Sequence, residues 1–203
     1  MALTQTPITE LDAVNVMLMS IGQSPVNALD STGIKDVEIA RLILHNTSRE
    51  VQDEGWEWNT DYAYAITPDG NDRILVPSNC LSIDPTRNSD DWVQRYDVSN
   101  TAQSMYDLNE QTFDRTSDLE VDIVWFYPFT YLPQSARNYI AQLAGQKFQA
   151  KHVSSELLFK FEEADVQRAR AVLMRNSHRV KDRNILTGPD FTNTIFHRRH
   201  NPR

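Results

Sequence analysis

Residues 51–60 read Val-Gln-Asp-Glu-Gly-Trp-Glu-Trp-Asn-Thr, and the pattern of the chain changes there from helical to extended. Before this stretch, apolar residues recur every three or four positions, which is the repeat of one helical face. Gly55 ends the helix, because glycine readily adopts the left-handed conformation that follows a helix C-terminus. After it, residues 61–66 are rich in types that suit a pleated strand. We expect Trp56 and Trp58 to lock this helix–sheet junction.

The helix before the junction covers about residues 35–52 and has an unusually wide apolar stripe. Three residues broaden the stripe beyond the usual single face: Ile39, Leu42 and Ile43. A stripe of this width predicts burial on more than one side of the helix.

Three other helices are predicted. The first begins at Thr6-Pro7, where Thr6 can cap the helix and Pro7 suits its first position, and Gly22 ends it. A third helix starts at Pro133, and a fourth covers about residues 156–179. The stretch after residue 187 has no helical or strand period and is predicted to be an extended tail.

Short strands are predicted between the second and third helices. They cover residues 61–66, 73–76, 92–98, 104–108 and 119–126, with a further extended stretch around Ile83. The last strand has the clearest alternation, with Leu119, Val121 and Ile123 on one face and acidic residues on the other. Pro128 ends it.

This order of elements predicts the α+β class, with the strands in one antiparallel sheet. We expect the N- and C-terminal helix pairs to form a four-helix bundle-like α domain into which the β block is inserted. The predicted divisions are residues 1–55 for the N-terminal helices and 56–130 for the β-rich insertion. Residues 131–186 form the C-terminal helices, and residues 187–203 form an extended basic tail.

The net charge of −8 is divided unevenly along the chain. Residues 1–49 carry −2, residues 50–130 carry −13 and residues 131–203 carry +7. Such asymmetry indicates different partners for different surfaces. The alternative, in which acidic loops and basic helices neutralise each other within one fold, stays open.

Composition excludes several classes of protein. Cys80 is the single cysteine, so there is no intrachain disulfide framework and no multi-cysteine zinc site. Only 6 residues are glycine, and no Gly-rich phosphate-binding motif occurs. The chain has no apolar run of about 18 residues and no signal-peptide pattern, so we expect no membrane partner.

Candidate metal ligands are weak. His197 and His200 are three residues apart but enclose two arginines, and like charge opposes a cation. His45 lies beside the stripe of the second helix, where a hydrogen-bonded histidine is the expected role. Asp84, Asn88 and Asp90 provide oxygen ligands without the spacing of a calcium loop. We therefore predict no metal and no cofactor.

Two functional alternatives remain. Trp56 and Trp58 alternate with Glu54 and Glu57, and paired carboxylates beside aromatic rings are typical of glycoside hydrolysis. This cluster is the only support for a tail-associated cell-wall or polysaccharide hydrolase. Residues 175–203 hold seven basic and two acidic groups, which suit either DNA phosphates or an acidic protein partner.

Several segments carry a family resemblance. They are Thr6 to Asn15, Leu18 to Val26, Leu29-Asp30, Ala40 to Gln52, Gly55 to Thr60, Ile74 to Pro77, and Pro133 to Ile140. Together they resemble the tail tubular protein A family of short-tailed phages, over most of the chain except about residues 84–117. The matching motifs are structural, and the family has no catalytic motif, so the resemblance implies no enzyme.

The resemblance implies a virion protein of the tail, assembled in the host cytoplasm. The family, also called a gatekeeper or adaptor, forms a dodecameric ring beneath the portal. It joins the portal to the tail nozzle, tail tubular protein B, and gives the tail fibres a place to attach. Genomic DNA passes through the lumen without sequence-specific binding. In such a ring the C-terminal tail is expected to reach a neighbour or the portal through these residues: Phe191, Ile195, Phe196, Arg198, Arg199 and Arg203.

Overall fold

The computed structural model describes residues 7–30, 33–86, 91–152 and 156–180. Within these ranges there are four α-helices: α1 (Glu10–Ser20), α2 (Lys35–Asp53), α3 (Gln134–His152) and α4 (Glu156–Val180). The described strands are β1 (Thr60–Ile66), β2 (Cys80–Pro85), β3 (Trp92–Asp97), β4 (Ala102–Asp107) and β5 (Leu119–Trp125). A short 3-10 turn, Phe129–Tyr131, precedes α3. The predicted α+β class is confirmed.

One apolar core lies between the helices. α1 packs against α2 and α3, α2 packs against α3, and α3 packs against α4. Val14, Leu44, Ile140 and Phe148 are fully buried there, and Leu173 brings α4 into the same core. The amphipathic faces of the helices account for this packing, since each buries its apolar stripe. Among the described residues, no helix is both long and apolar enough to cross a membrane.

The first helix begins later than predicted. Its N-cap is Thr9 rather than Thr6, and the helix starts at Glu10 instead of Pro7. The Thr9 hydroxyl accepts a hydrogen bond from the Asp12 amide, and the Asp12 carboxylate accepts one from the Thr9 amide at 3.0 Å. This reciprocal capping box satisfies two backbone donors at once, which explains why Thr9 fixes the boundary.

The strands form two sheets, so the prediction of one sheet is wrong. β5 lies between β1 and β2 in an antiparallel three-stranded sheet, while β3 and β4 form a separate hairpin. The predicted strand at 73–76 makes only isolated bridges, at Arg73 and Leu75. This segment pairs with two different partners, Asp114 and Ser104, and therefore joins no single ladder. The stretch around Ile83 forms β2.

A second apolar core lies among the strands. Leu119, Val121 and Ile123 bury one face of β5, as their alternation predicts. Three residues from outside the three-stranded sheet complete this core: Ile74, Trp92 and Met105. The β3–β4 hairpin therefore packs beside the three-stranded sheet through buried side chains.

The capping box makes a prediction about stability and its dependence on pH. Thr9→Ala should lower the free energy of unfolding by about 1 kcal/mol near neutral pH, because α1 loses its cap. Hydrogen bonds from the Thr9 side chain and backbone lower the pKa of Asp12. A lowered folded-state pKa stabilises the fold above the ordinary aspartate value of about 3.9, and this contribution is lost as pH falls through the lowered value.

Urea denaturation at several pH values measures this effect. The difference in the free energy of unfolding between the wild type and Thr9→Ala should be largest near pH 6 and should shrink below about pH 4. Thr116→Ala, at an exposed threonine, is the matched control and should change little at any pH. An equal loss of unfolding free energy in both variants would contradict the capping role of Thr9.

Candidate interaction surfaces and the helix–sheet junction

Two buried amide side chains join α2 to the end of β5. Gln52 is 0% exposed; its amide donates to the Tyr127 carbonyl at 2.9 Å, and its side-chain oxygen accepts from the Tyr127 amide at 2.8 Å. Asn59 donates to the carbonyls of Gln52 and Trp125, and it accepts from the Trp56 amide. The Trp125 amide in turn donates to the Asn59 carbonyl at 2.7 Å. The junction is therefore held by a satisfied buried polar network.

Gly55 provides the turn within this network. Its φ is +71°, in the left-handed region, and a Cβ atom there would lie 3.5 Å from the Val124 side chain. Glycine suits this position because it adopts the left-handed conformation without steric cost. The change of pattern at Gly55 therefore marks a real boundary between α2 and the sheet.

The two tryptophans of the junction have different roles. Trp56 is 7% exposed, belongs to the helical core, and donates its indole N–H to the Val51 carbonyl at 2.7 Å. Trp58 is half-buried against the same core. The predicted locking role agrees with the burial of Trp56, whose ring has no free face for a sugar.

One carboxylate of the proposed hydrolase cluster is engaged in an ion pair with α4. Glu54 accepts from the Arg170 guanidinium of α4 at 2.8 Å, and the same guanidinium donates to the Tyr139 hydroxyl. Glu54 therefore helps to fix α4 beside the junction. Glu57 is half-buried. The burial of Trp56 and the ion pair of Glu54 are structural roles, and they give the hydrolase alternative no support.

An aromatic groove opens beside the junction. Trp58, Tyr127, Tyr131 and Pro133 line a volume of about 380 Å³. Tyr131 is 76% exposed, so one wall of the groove is open to solvent. Its lining resembles the pockets in which proteins bind apolar or proline-containing segments.

Many acidic residues of the β block have local structural roles. Asp69, Asp97 and Asp107 each accept hydrogen bonds from backbone amides two to four residues further on. Aspartate commonly stabilises turns in this way. Asp97 is buried and also pairs with Arg73, which bridges to Asp114. Sequence reasoning missed these roles, although an aspartate two residues before Ser or Asn is a recognisable signal.

Other carboxylates lie on the outer face of the three-stranded sheet. Glu120 and Asp122 alternate with the buried residues of β5, and Asp84 of β2 is the direct cross-strand partner of Asp122. Like charges placed opposite each other destabilise a sheet. Asp122 is partly compensated, because it accepts from the Ala63 amide and the Thr86 hydroxyl. This face is the acidic surface of the described β block.

The helices also leave apolar side chains exposed. Ile39 and Leu42 of α2 are 38% and 60% exposed, although the wide stripe predicts burial on more than one side. Val16 and Met19 of α1 are exposed as well. In the isolated chain, the second side of the α2 stripe is therefore open to solvent.

No group of three metal-ligating side chains occurs among the described residues. His45 contacts the Glu10 carboxylate at 3.0 Å, in agreement with a hydrogen-bonded helix histidine. Asp84 lies on the acidic sheet face, while Asn88 and Asp90 lie outside the described residues. His197 and His200 lie outside them too. So do all the predicted interface residues of the tail: Phe191, Ile195, Phe196, Arg198, Arg199 and Arg203.

These features describe a protein with several extended surfaces on a fixed frame. Two cores share a rigid joint, exposed apolar residues lie on the helices, and an acidic face lies on the sheet. The family model for tail tubular protein matches residues 11–183, and the chain belongs to this family. It is a structural protein of the phage tail, as the resemblance predicts. A search of curated proteins finds no match.

The buried amides at the junction yield a prediction about stability. Gln52→Met keeps the side-chain length but leaves the Tyr127 N–H and carbonyl without partners, which should cost about 2–4 kcal/mol. Gln167→Met, at an exposed position of α4, is the matched control and should cost less than about 0.5 kcal/mol. Chemical denaturation measures both variants. Equal stability in the two would show that the amide network contributes little.

Proposed function

We propose that the protein is a subunit of the head-to-tail connector ring, the adaptor between portal and tail nozzle. Membership of the tail tubular protein family over residues 11–183 carries this proposal. The ring is a dodecamer that binds the portal above and tail tubular protein B of the nozzle below, and it offers attachment to the tail fibres. It assembles in the host cytoplasm, contacts no membrane, and acts in genome ejection without a catalytic step.

We also propose a division of the chain into an α domain and an inserted β block. Residues 1–55 and 131–186 form one bundle-like α domain, and residues 56–130 form a β insertion. The separate apolar cores of helices and strands support this division. The polar joint at Gln52 and Asn59 supports a fixed geometry between the two parts. A subunit of a closed ring needs such a fixed geometry, because the rotation between neighbours must close.

Neighbouring subunits meet through the outer face of α2. Ile39 and Leu42 are exposed at helical spacing, next to a face that is already buried. A head-to-tail ring needs two different sides on each subunit that are complementary to each other. Exposed apolar side chains on a rigid helix are suitable contacts for one of them.

DNA passes through the lumen of the ring next to an acidic surface. The carboxylates of Asp84, Glu120 and Asp122 share the outer face of the sheet. Tight binding of DNA depends on neutralising its phosphates, so a negative wall lets the duplex move past.

The tail after residue 187 binds a neighbour or the portal. Its apolar residues are anchors and its arginines are ion-pair donors. The anchors are Phe191, Ile195 and Phe196, and the donors are Arg198, Arg199 and Arg203.

Mixing with purified portal rings tests the connector role. The wild-type chain should form a larger ring-shaped particle in electron micrographs, while Ile39→Glu with Leu42→Glu should weaken ring formation at least tenfold. Val98→Glu, at an exposed apolar residue of the β block, is the control and should assemble normally. A wild-type chain that stays monomeric with portal would overturn the connector role. Normal assembly of the double variant would overturn only the α2 contact.

Deleting residues 188–203 tests the tail. This segment lacks the apolar period of a core helix or strand, so the melting temperature should stay within a few degrees of the wild type. Assembly with the portal should weaken, because the anchors and ion-pair donors are lost. Sedimentation of the mixed particles measures this assembly. Unchanged assembly of the deletion variant would rule out the docking role of the tail.

A further inference from the structure

The second half of α4 presents a basic face to solvent. Arg168, Ala171 and Arg175 are exposed at helical spacings of three and four, which places them on one side of the helix. Val172 and Met174 flank this row and are 37% and 42% exposed. These five residues form the basic face of α4. The other side of the helix is buried in the helical core through Val166, Ala169 and Leu173.

Within the basic face of α4, Arg175 has no charged partner in the described part of its own subunit. Arg168 pairs with Asp165 of the same helix at 2.8 Å, and Arg170 is engaged by Glu54. Residues 168–180 contain four arginines and no acidic residue, so no carboxylate of this stretch competes for Arg175. Its guanidinium is therefore available to a carboxylate of a partner, in the kind of charge-assisted pair that arginine forms best.

A surface of opposite charge lies on α1 and the first half of α2. α1 contains two acidic residues and no basic one, and its Val16 and Met19 are 47% and 53% exposed. On α2, Glu38 is exposed one turn before Leu42, which is 60% exposed. Glu38 makes no ion pair with any residue that the structure describes. The two helices pack against each other, and we call these four exposed residues the α1–α2 surface.

The basic face of α4 and the α1–α2 surface belong to different sides of the subunit. α1, α2 and α4 all pack against α3, whereas no extensive contact joins α4 to α1 or α2 among the described residues. The Arg170–Glu54 ion pair contacts the far end of α2, about 18 Å from Leu42 along the helix. The two oppositely charged surfaces therefore meet between copies of the chain rather than within one copy.

Charge disfavours the pairing of either surface with itself. Two copies of the basic face would bring arginines against arginines, and two copies of the α1–α2 surface would bring carboxylates together. Like charges placed across an interface suppress association, whereas opposite charges fix the orientation of the partners. Association of unlike surfaces is head-to-tail, and contacts of this kind generate rings when the rotation closes.

We propose that the basic face of α4 in one subunit binds the α1–α2 surface of a second copy of the chain. Val172 of one copy packs against Leu42 of the next, and Arg175 of the first pairs with Glu38 of the second. This inference rests on the proposed connector ring, for which it supplies the second side of each subunit contact.

Cross-linking between two single-cysteine chains tests this contact. Both chains carry Cys80→Ser, which removes the native thiol, and one adds Leu42→Cys while the other adds Val172→Cys. A short bis-maleimide linker should give about tenfold more dimer in the mixture than in either chain alone, because like surfaces do not meet. Val98→Cys, at an exposed residue of the β block, replaces Val172→Cys in the control mixture and should give only background dimer.

Charge reversal within the same mixture provides a second measurement. Arg175→Glu on the Val172→Cys chain, or Glu38→Arg on the Leu42→Cys chain, should lower the yield of dimer about tenfold. The two reversals together should restore most of the yield, because opposite charges face each other again. Glu110→Arg on the Leu42→Cys chain, at an exposed residue of the β block, is the matched control and should leave the yield unchanged.

The cross-links are measured with portal rings and, at high protein concentration, without them. No dimer specific to the mixture under either condition would overturn the contact. A portal-bound particle without this dimer would overturn the contact alone and leave the connector role standing. The dimer without any portal-bound particle would support the contact and overturn the connector role. Dimer formed by the Leu42→Cys chain alone would show that like surfaces pair, and would overturn the head-to-tail contact.

Discussion

The hydrogen bonds of two buried amide side chains hold the helical part of the molecule to its sheet. Gln52 pairs with both backbone groups of Tyr127, and Asn59 bridges the end of α2 to the end of β5. A buried amide lowers the stability of the fold unless each of its polar groups has a hydrogen-bond partner. Few other arrangements of helix and sheet would therefore satisfy this network. Apolar contacts alone would allow the two cores to slide, because dispersion and burial have little direction. The amides therefore decide how the sheet is oriented on the helices.

Other features of the surface follow from that joint. Since β5 ends at the Gln52 pair, the chain must turn through the 3-10 segment before α3 begins, which brings Tyr127 and Tyr131 beside Trp58. Arg137 stabilises this turn by donating to the carbonyls of Thr130 and Leu132 and to that of Ile8. Arg170 then fixes α4 against Glu54. The groove, the start of α3 and the course of α4 all depend on the same short region.

Much of the fold could be predicted from sequence because its helices and β5 have strong periodic signals. The stripe of α3, one side of the α2 stripe and the alternation of Leu119, Val121 and Ile123 correspond to buried faces. The second side of the α2 stripe is exposed at Ile39 and Leu42, so its predicted burial is wrong for the isolated chain. The division into two sheets could not be predicted, since strand pairing depends on contacts distant in sequence. The start of α1 was misplaced because Thr6-Pro7 is also a good helix start, and only the reciprocal bonds between Thr9 and Asp12 decide between them. The amide joint was missed because a glutamine at the end of a helix is usually exposed.

The acidic charge of residues 50–130 has two origins, and only one of them concerns partners. Asp69, Asp97 and Asp107 stabilise turns, and Asp97 is further neutralised by Arg73, so these carboxylates contribute to the fold. The carboxylates of Asp84 and Asp122 oppose each other across two strands, an arrangement that costs stability. At physiological salt, electrostatic interactions are screened beyond about 8 Å. A passing DNA duplex would therefore be repelled only by carboxylates on the surface that faces it. The total of −13 therefore overstates the repulsion that DNA would meet in the proposed ring, where only the outer face of the sheet would contribute to it.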